Sequence, residues 1–130
     1  ALNSLPKIVG YDTNIFVFGS NRAGVHGAGA AKHAYEKHGA EWGKGAGLTG
    51  TSYAIPTRRF LGRSIKTLKI EEIEKHVQKF IYFAKGHSDL SFLITRLGCG
   101  RAGYNDADIG PLFKGAPGNC SLPTEWEHYR

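Results

Sequence analysis

Two glycine-rich stretches each lie between a short apolar run and a helical pattern, and this repeated order constrains the fold most. The apolar run at residues 15–18 precedes GSNRAGVHGAG, and the run at residues 92–95 leads into the glycines of ITRLGCGRAGY, residues 94–104. Compact apolar runs are typical of parallel strands that are covered on both faces. Loops at the carboxyl ends of such strands bind ligands. Because glycine lets amide N–H groups approach an anion closely, we expect two facing loops that bind phosphate.

The length and composition predict one globular domain, residues 1–130. Hydrophobic residues make up 41% of the chain and charged residues 22%, which is ordinary for such a domain. No apolar run approaches the ~20 residues that cross a bilayer, and the N-terminus lacks the long apolar segment of a signal peptide. The two cysteines, Cys99 and Cys120, fit a reducing compartment better than a disulfide framework. We therefore expect a cytoplasmic protein with no membrane partner.

The net charge of +6 predicts a polyanionic partner. Its attraction would act on a phosphorylated small molecule and on a nucleic acid alike, so charge leaves both open. The sequence has no zinc-finger spacing, no aromatic strand signature of RNA-binding sheets and no recognition-helix pattern. The alternative interpretation of the basic cluster is a solvated surface without a partner. The basic cluster consists of Arg58, Arg59, Arg63, Lys66 and Lys69.

Two helices are predicted from periodicity. The clearer one begins at Ile70 and runs to Ala84, with apolar residues at spacings of three and four. The other covers residues 30–39, where Gly39 is a natural C-cap. Small residues at its start would let it lie close to the preceding strand, with its positive end at the first loop. Its predicted apolar face consists of Ala30, Ala31, Ala34 and Tyr35.

Glycine and proline predict where regular structure stops. Residues 39–50 contain five glycines, which predicts a surface loop without helix or strand. Trp42 in this loop could cap a ligand or anchor the loop. A strand over residues 52–57 should end at Pro56, with residues 58–69 as a basic link. Further predictions are strands at Ile8 and Val9, at 91–97 and at 120–122, a short helix over 106–114 capped by Asn105 or Asp106, and a terminal segment docked by Trp126.

This alternation of strands and helices predicts an α/β fold with right-handed crossovers. Helices would cover both faces of a mostly parallel sheet, and both glycine loops would meet at one edge.

Two motifs together resemble the macrodomain family, whose members bind ADP-ribose and in some cases hydrolyse ADP-ribosyl groups. HGAGAAKHAYEKHGA, residues 26–40, resembles the first loop and following helix of that family. TRLGCGRAGY, residues 95–104, is similar to the second loop, especially in the branch of the terminal ADP-ribose glycohydrolases. The resemblance implies a three-layer α/β/α fold with a mostly parallel or mixed sheet, shortened at the N-terminus, and it fits a bacterial or phage protein.

The resemblance also implies a site for ADP-ribose or an ADP-ribosylated substrate. The second loop would wrap the diphosphate, aided by Arg101, while the first would lie beside the distal ribose, with Asn21 near its hydroxyls and Tyr104 packed on it. Neither a cofactor nor a metal is implied, and His33 and His38 lack further ligands beside them. The implied ligand-binding residues are Asn21, Gly24, Gly27, Ala28, Gly29, Gly98, Cys99, Gly100, Arg101, Ala102, Gly103 and Tyr104.

Two positions depart from the glycohydrolase pattern, and the aspartate with which macrodomains usually read the adenine is not placed. Ala102 stands where that branch has a catalytic aspartate, and its nucleophilic lysine would fall near Arg58 or Arg59, whose guanidinium stays protonated. For the aspartate that reads the adenine amine, Asp12 is the nearby candidate. Catalysis would therefore need other groups, for which His26 and Asp106 are candidates, with hydrogen bonding in the loop and helix capping as their alternative roles. The sequence leaves open an ADP-ribose-binding module, an ADP-ribosyl hydrolase and a small basic nucleic-acid-binding protein.

Overall fold

A computed structural model describes residues 13–130 of the chain. The strand predicted at Ile8 and Val9, and Asp12, lie outside these described residues. Within them, no helix has the length and apolar character needed to cross a membrane.

Among the described residues, a mixed sheet of six strands forms the centre of the fold and confirms the α/β class. Strand β1 is central, pairing in parallel with β3 on one side and β5 on the other, and β6 continues in parallel beside β5. Strands β2 and β4 both pair antiparallel with β3, which makes the sheet mixed. The strands are β1 Asn14–Asn21, β2 Gly47–Thr49, β3 Ser52–Leu61, β4 Ser64–Thr67, β5 Ser91–Ile94 and β6 Cys120–Ser121.

Helices cover both faces of the sheet, as the strand and helix order predicts. Helix α1, Gly29–Lys37, packs on the face that presents Phe18, while α2, Ile70–Lys85, packs on the face that presents Val17. The two residues point to opposite faces because successive side chains alternate along a strand. A short helix α3, Asp106–Ile109, continues into a 3₁₀ turn, Gly110–Phe113, on the α2 side.

The α2 face carries the larger core. Buried residues of α2 recur at the predicted helical spacings, and Gly86 ends the helix. The last segment, the 3₁₀ helix Thr124–Tyr129, docks here through Trp126, whose ring is fully buried and stacks on Phe113. This confirms the predicted anchoring of the terminal segment. The residues that α2 buries are Ile73, Val77, Phe80, Ile81 and Ala84.

Several boundaries differ from the sequence predictions. The first strand does not end at Phe18, because parallel pairing with β3 carries it through Asn21. Strand β3 does not end at Pro56 but runs to Leu61. The pairing register between β1 and β3 shifts after Ser20, next to Pro56, and this irregularity accommodates a residue that has no N–H to donate.

Two stretches predicted as irregular contain strands. Three residues of the 39–50 stretch form β2, because the edge of β3 offers them hydrogen bonds. The basic stretch is not a simple link, since β4 folds back on β3 as a hairpin. The apolar face of α1 is also narrower than predicted: Ala31 and Ala34 are buried, whereas Ala30 and Tyr35 are exposed.

Candidate functional site

A cleft of about 530 Å³ opens where β1, β3 and β5 end. The two glycine-rich loops form opposite walls, as the sequence predicts for loops at the carboxyl ends of parallel strands. The β3–β4 hairpin adds a third wall that sequence analysis missed. Predicted site residues that line the cleft are Asn21, Gly27, Ala28, Gly29, Gly98, Gly100, Arg101 and Ala102. Those that do not are Gly24, Cys99, Gly103 and Tyr104, together with His26 and Asp106.

Asn21 orders the first loop from its base at the end of β1. Its side-chain Nδ2 donates to the Val25 carbonyl at 2.9 Å, and its Oδ1 accepts from the Val25 N–H at 3.0 Å. The residue is 5% exposed. Both polar atoms of the side chain therefore hold the loop closed, in an arrangement that mimics a backbone turn.

Residues 43–45 support the first loop on the side away from the cleft. Part of the glycine-rich 39–50 stretch therefore has a structural role. The Gly43 N–H donates to the Gly24 carbonyl at 2.9 Å, and the Ser20 hydroxyl donates to the Gly45 carbonyl. A Cβ on Gly24 would lie 2.3 Å from the Lys44 nitrogen. Gly24 therefore allows two backbone segments to touch, and it does so outside the cleft.

The N-terminus of α1 opens into the cleft. Its cap residue, Ala28, has no side-chain acceptor, and the first turn contains no acidic residue. The first amide N–H groups of a helix lack partners within the helix and carry the positive end of its dipole. Since residues 27–31 all line the cleft, this end is suited to an anion.

The second loop is a tight turn with an open rim. Gly98 and Gly103 have φ of 80° and 87°, and the Tyr104 N–H donates to the Gly98 carbonyl at 2.9 Å. Within residues 13–130, the N–H groups of Gly100 and Ala102 donate to no protein acceptor. A Cβ on Gly100 would meet no atom within 4 Å. Gly100 and Ala102 both line the cleft, so these two amides are free to bind an anion there, as in anion-binding loops.

Asp106 holds the second loop from outside the cleft. It accepts two hydrogen bonds from Arg96, at 3.0 and 2.7 Å, and one from the Trp126 indole N–H at 2.7 Å. The hydrogen bond from Arg96, followed by that from Trp126, lowers the pKa of this carboxyl group. The helix cap is Asn105, through a capping box with Asp108. Asp106 therefore acts as a brace between the loop and the terminal segment.

Tyr104 and Cys99 also face the protein interior. The Tyr104 hydroxyl donates to the Leu68 carbonyl at 2.7 Å, which ties the loop to the start of α2. Burial raises the pKa of the Cys99 thiol to about 11, with the charge of Asp106 adding to the effect. A thiol of that pKa is a poor nucleophile at neutral pH.

His26 lies beneath the first loop at 1% exposure. Its Nε2–H donates to the Glu41 carbonyl at 2.9 Å, and its ring meets Phe18 and Trp42 edge-on. Trp42 is 53% exposed and does not line the cleft. Because its ring contacts His26, it covers the first loop from outside the cleft. These contacts give His26 a structural role in the loop.

The charge lining the cleft is positive. Arg58 and Arg101 form no ion pair within the described residues, whereas Arg96 is engaged by Asp106. Burial lowers the pKa of Arg58, and the neighbouring charge of Arg101 lowers it further. Of the described residues that line the cleft, none is an aspartate, glutamate, histidine or cysteine. An anion placed here would relieve the repulsion between the two guanidinium groups.

The hairpin wall brings Phe60 and Ile65 to the cleft. They are paired across β3 and β4, and 41% and 37% of their surfaces are exposed. The local signal for this hairpin was the dipeptide Gly62-Arg63 between Leu61 and Ser64, since a glycine with φ of 63° suits a two-residue turn. No group of three or more histidine, cysteine or acidic side chains among residues 13–130 could hold a metal ion.

Comparison with known proteins supports the fold and goes no further. Neither a protein-family model nor a curated protein matches the sequence. A solved structure of a protein of unknown function from Bacteroides thetaiotaomicron is similar, with a TM-score of 0.60, 14% sequence identity and 85% coverage of both chains. At this identity the likeness concerns the shared α/β architecture.

Proposed function

We propose that this chain binds ADP-ribose or a related ADP-ribosyl nucleotide in the cleft, as a macrodomain-like module. The observation that carries the proposal is a cleft whose described lining contains no acid and combines the free amides of Gly100 and Ala102 with Arg58 and Arg101, which form no ion pair among residues 13–130. Backbone amides and guanidinium groups are among the strongest hydrogen-bond donors that proteins offer to phosphate oxygens. The resemblance of both loop motifs to macrodomains supplies the choice of ADP-ribose among phosphorylated ligands.

The diphosphate would bind the rim of the second loop, at Gly100 to Ala102, with Arg101 beside it. The N-terminus of α1 would lie across the cleft, near the distal ribose and the second phosphate. Because both walls are held by hydrogen bonds within the protein, the amides are positioned before the ligand arrives. Preorganised donors lose little entropy on binding.

Binding without turnover is the form of the proposal that the chemistry of the lining favours. Hydrolysis of an ADP-ribosyl bond needs a general acid or base within hydrogen-bond reach of the reacting group. The described cleft lining contains no carboxylate, imidazole or thiol: Asp106 is bound by Arg96 outside the cleft, and His26 is buried and does not line it. An assay for ADP-ribose released from a modified protein should therefore give no more product than the buffer alone.

Calorimetric titration of ADP-ribose tests the proposal. The wild type should bind saturably, and Gly100→Glu should bind at least about tenfold more weakly, because a carboxylate within a few ångströms repels the diphosphate. The glutamate side chain has room, since a Cβ at Gly100 meets nothing within 4 Å.

Two control variants separate charge from bulk and from general effects. Gly100→Gln has the same size without the charge and should bind more tightly than Gly100→Glu. Gly118→Glu adds the same charge at another open position outside the cleft and should bind like the wild type. Absence of heat with the wild type, or equal loss in Gly118→Glu, would refute ADP-ribose binding in this cleft.

A further inference from the structure

The β3–β4 hairpin extends beyond the sheet that supports it. Pairing of β1 with β3 ends at Arg58, so the later residues of β3 pair only with β4. All residues from 59 to 67 are exposed. A two-stranded ribbon alone is marginally stable in water, so such an extension receives little from the core.

The composition of this ribbon is unfavourable to its own stability. Arg59 and Lys66 lie directly opposite each other across the two strands, and like charges in that position destabilise a ribbon. Residues 58–69 contain five cations and no acid. The acid Glu72, at the start of α2, pairs with Arg22 at 2.5 Å and also interacts with the charge of Arg59, so this one acid is shared by two cations. The ribbon therefore presents positive charge that a polyanion would neutralise.

The two faces of the ribbon differ. Phe60 and Ile65 face the cleft, beside Arg58, while Leu61 alternates to the other face with Arg59. Thr67 donates to the Ala102 carbonyl at 2.8 Å, so the ribbon is fastened to the second loop. The aromatic ring of Phe60 and the rim of the second loop consequently belong to one continuous surface.

We propose that this hairpin and the adjoining second loop bind single-stranded nucleic acid, with a base stacked on Phe60 and the flanking phosphates on Arg58 and Arg101, which line the same surface. The proposal goes beyond ADP-ribose binding and does not require it. Aromatic side chains within a positive groove are the recurrent design of single-strand binding, because every unpaired base has a face to stack. A membrane surface fits less well, since docking on lipid needs a broad apolar face, whereas the face of Phe60 and Ile65 also carries Arg58.

Fluorescence anisotropy with a labelled single-stranded DNA of about a dozen nucleotides tests the proposal. The wild type should bind it saturably at low salt and more tightly than a duplex of the same sequence. Phe60→Ala should weaken binding about tenfold, the typical effect of one lost stacking contact, and Phe60→Trp should retain it. Tyr82→Ala, which removes an aromatic side chain that is 83% exposed on α2, is the matched control and should change nothing.

The charge of this surface is tested by the salt dependence. The double variant Arg58→Ser with Arg101→Ser should reduce the slope of log affinity against log salt by about 1.4, the value expected for two phosphate contacts on a single strand. Lys75→Ser with Lys79→Ser removes two exposed cations from α2 and should leave the slope unchanged.

Three results would overturn the proposal. The first is no saturable binding by the wild type, and the second is an equal loss from both double variants, which would indicate general charge attraction. The third is loss of binding to anionic phospholipid vesicles in Phe60→Ala without any change in DNA binding, which would indicate a lipid surface. Thermal unfolding of each variant shows whether it is folded. Because the assay contains no ADP-ribose, its outcome is independent of the calorimetric test.

Discussion

The two glycine-rich loops flank one cleft, yet different forces hold them. The first loop is held mainly by backbone packed on backbone, with Gly24 against residues 43–44 and the Asn21 side chain closing the turn. The second is held by polar side chains around it, chiefly Asp106 and Tyr104. In the first loop Gly24 allows close approach between two backbone segments, whereas in the second loop a Cβ on Gly100 would meet only open space. Similar composition therefore conceals different constraints.

The largest expected effect is on the first loop. Gly24→Ala should destabilise the protein by about 3 kcal/mol or more, because the added Cβ would overlap the Lys44 nitrogen and φ of 70° is strained for alanine. Gly27→Ala is the matched control in the same loop. It meets no atom within 4 Å and should change stability by less than about 0.5 kcal/mol. Urea denaturation measures both, and equal midpoints would disprove the backbone contact.

The second loop should respond to pH through Asp106. Its pKa in the folded protein is lowered, mainly by the hydrogen bond from Arg96, so its ionised form stabilises the fold above the ordinary pKa of about 3.9. That stabilisation is lost as the pH falls through the lower folded pKa. Asp106→Asn should therefore be less stable than the wild type at pH 7, and the difference should shrink in acid. Denaturation curves from about pH 6 to pH 2.5 measure it. A difference independent of pH would assign the effect to packing alone.

A smaller effect is expected for Tyr104→Phe, which removes the hydrogen bond to the Leu68 carbonyl and keeps the ring. The loss should be about 1 kcal/mol, the usual net value of one hydrogen bond. Tyr129→Phe serves as a control, since no hydrogen bond from the Tyr129 hydroxyl is found within residues 13–130. If both variants unfold at the wild-type denaturant midpoint, the tie between the loop and α2 contributes nothing.

The mildest test leaves the sequence unchanged. Since burial raises the pKa of the Cys99 thiol to about 11, iodoacetamide at pH 8 should modify it far more slowly in the folded protein than in urea. Mass spectrometry of peptides resolves Cys99 from Cys120, whose pKa is also raised to about 11 by burial. Rapid alkylation of Cys99 alone would mean that the second loop opens, contrary to the bracing by Asp106.

Much of the architecture could be predicted because its signals are local. The spacing of Ile73, Val77 and Phe80 follows the period of a helix, and the apolar run before Gly19 is typical of a central strand. Edge strands could not be predicted in the same way. Residues 47–49 become β2 only because β3 offers an edge, and that edge depends on residues distant in sequence.

The candidate site likewise has features that local sequence predicts and features that only tertiary contacts determine. The sequence alone identified the two loops, because glycine after an apolar run is a local pattern, and it identified Arg58 and Arg101 as cations. Which of those residues share a cleft was decided by the tertiary structure. Cys99 packs against the core, whereas its neighbour Gly100 lines the cleft. Phe60 reaches the cleft because its stretch forms a hairpin, although the composition alone predicts a basic link. Side-chain direction depends on pairing register and on contacts from other elements, and neither is written in any short stretch of sequence.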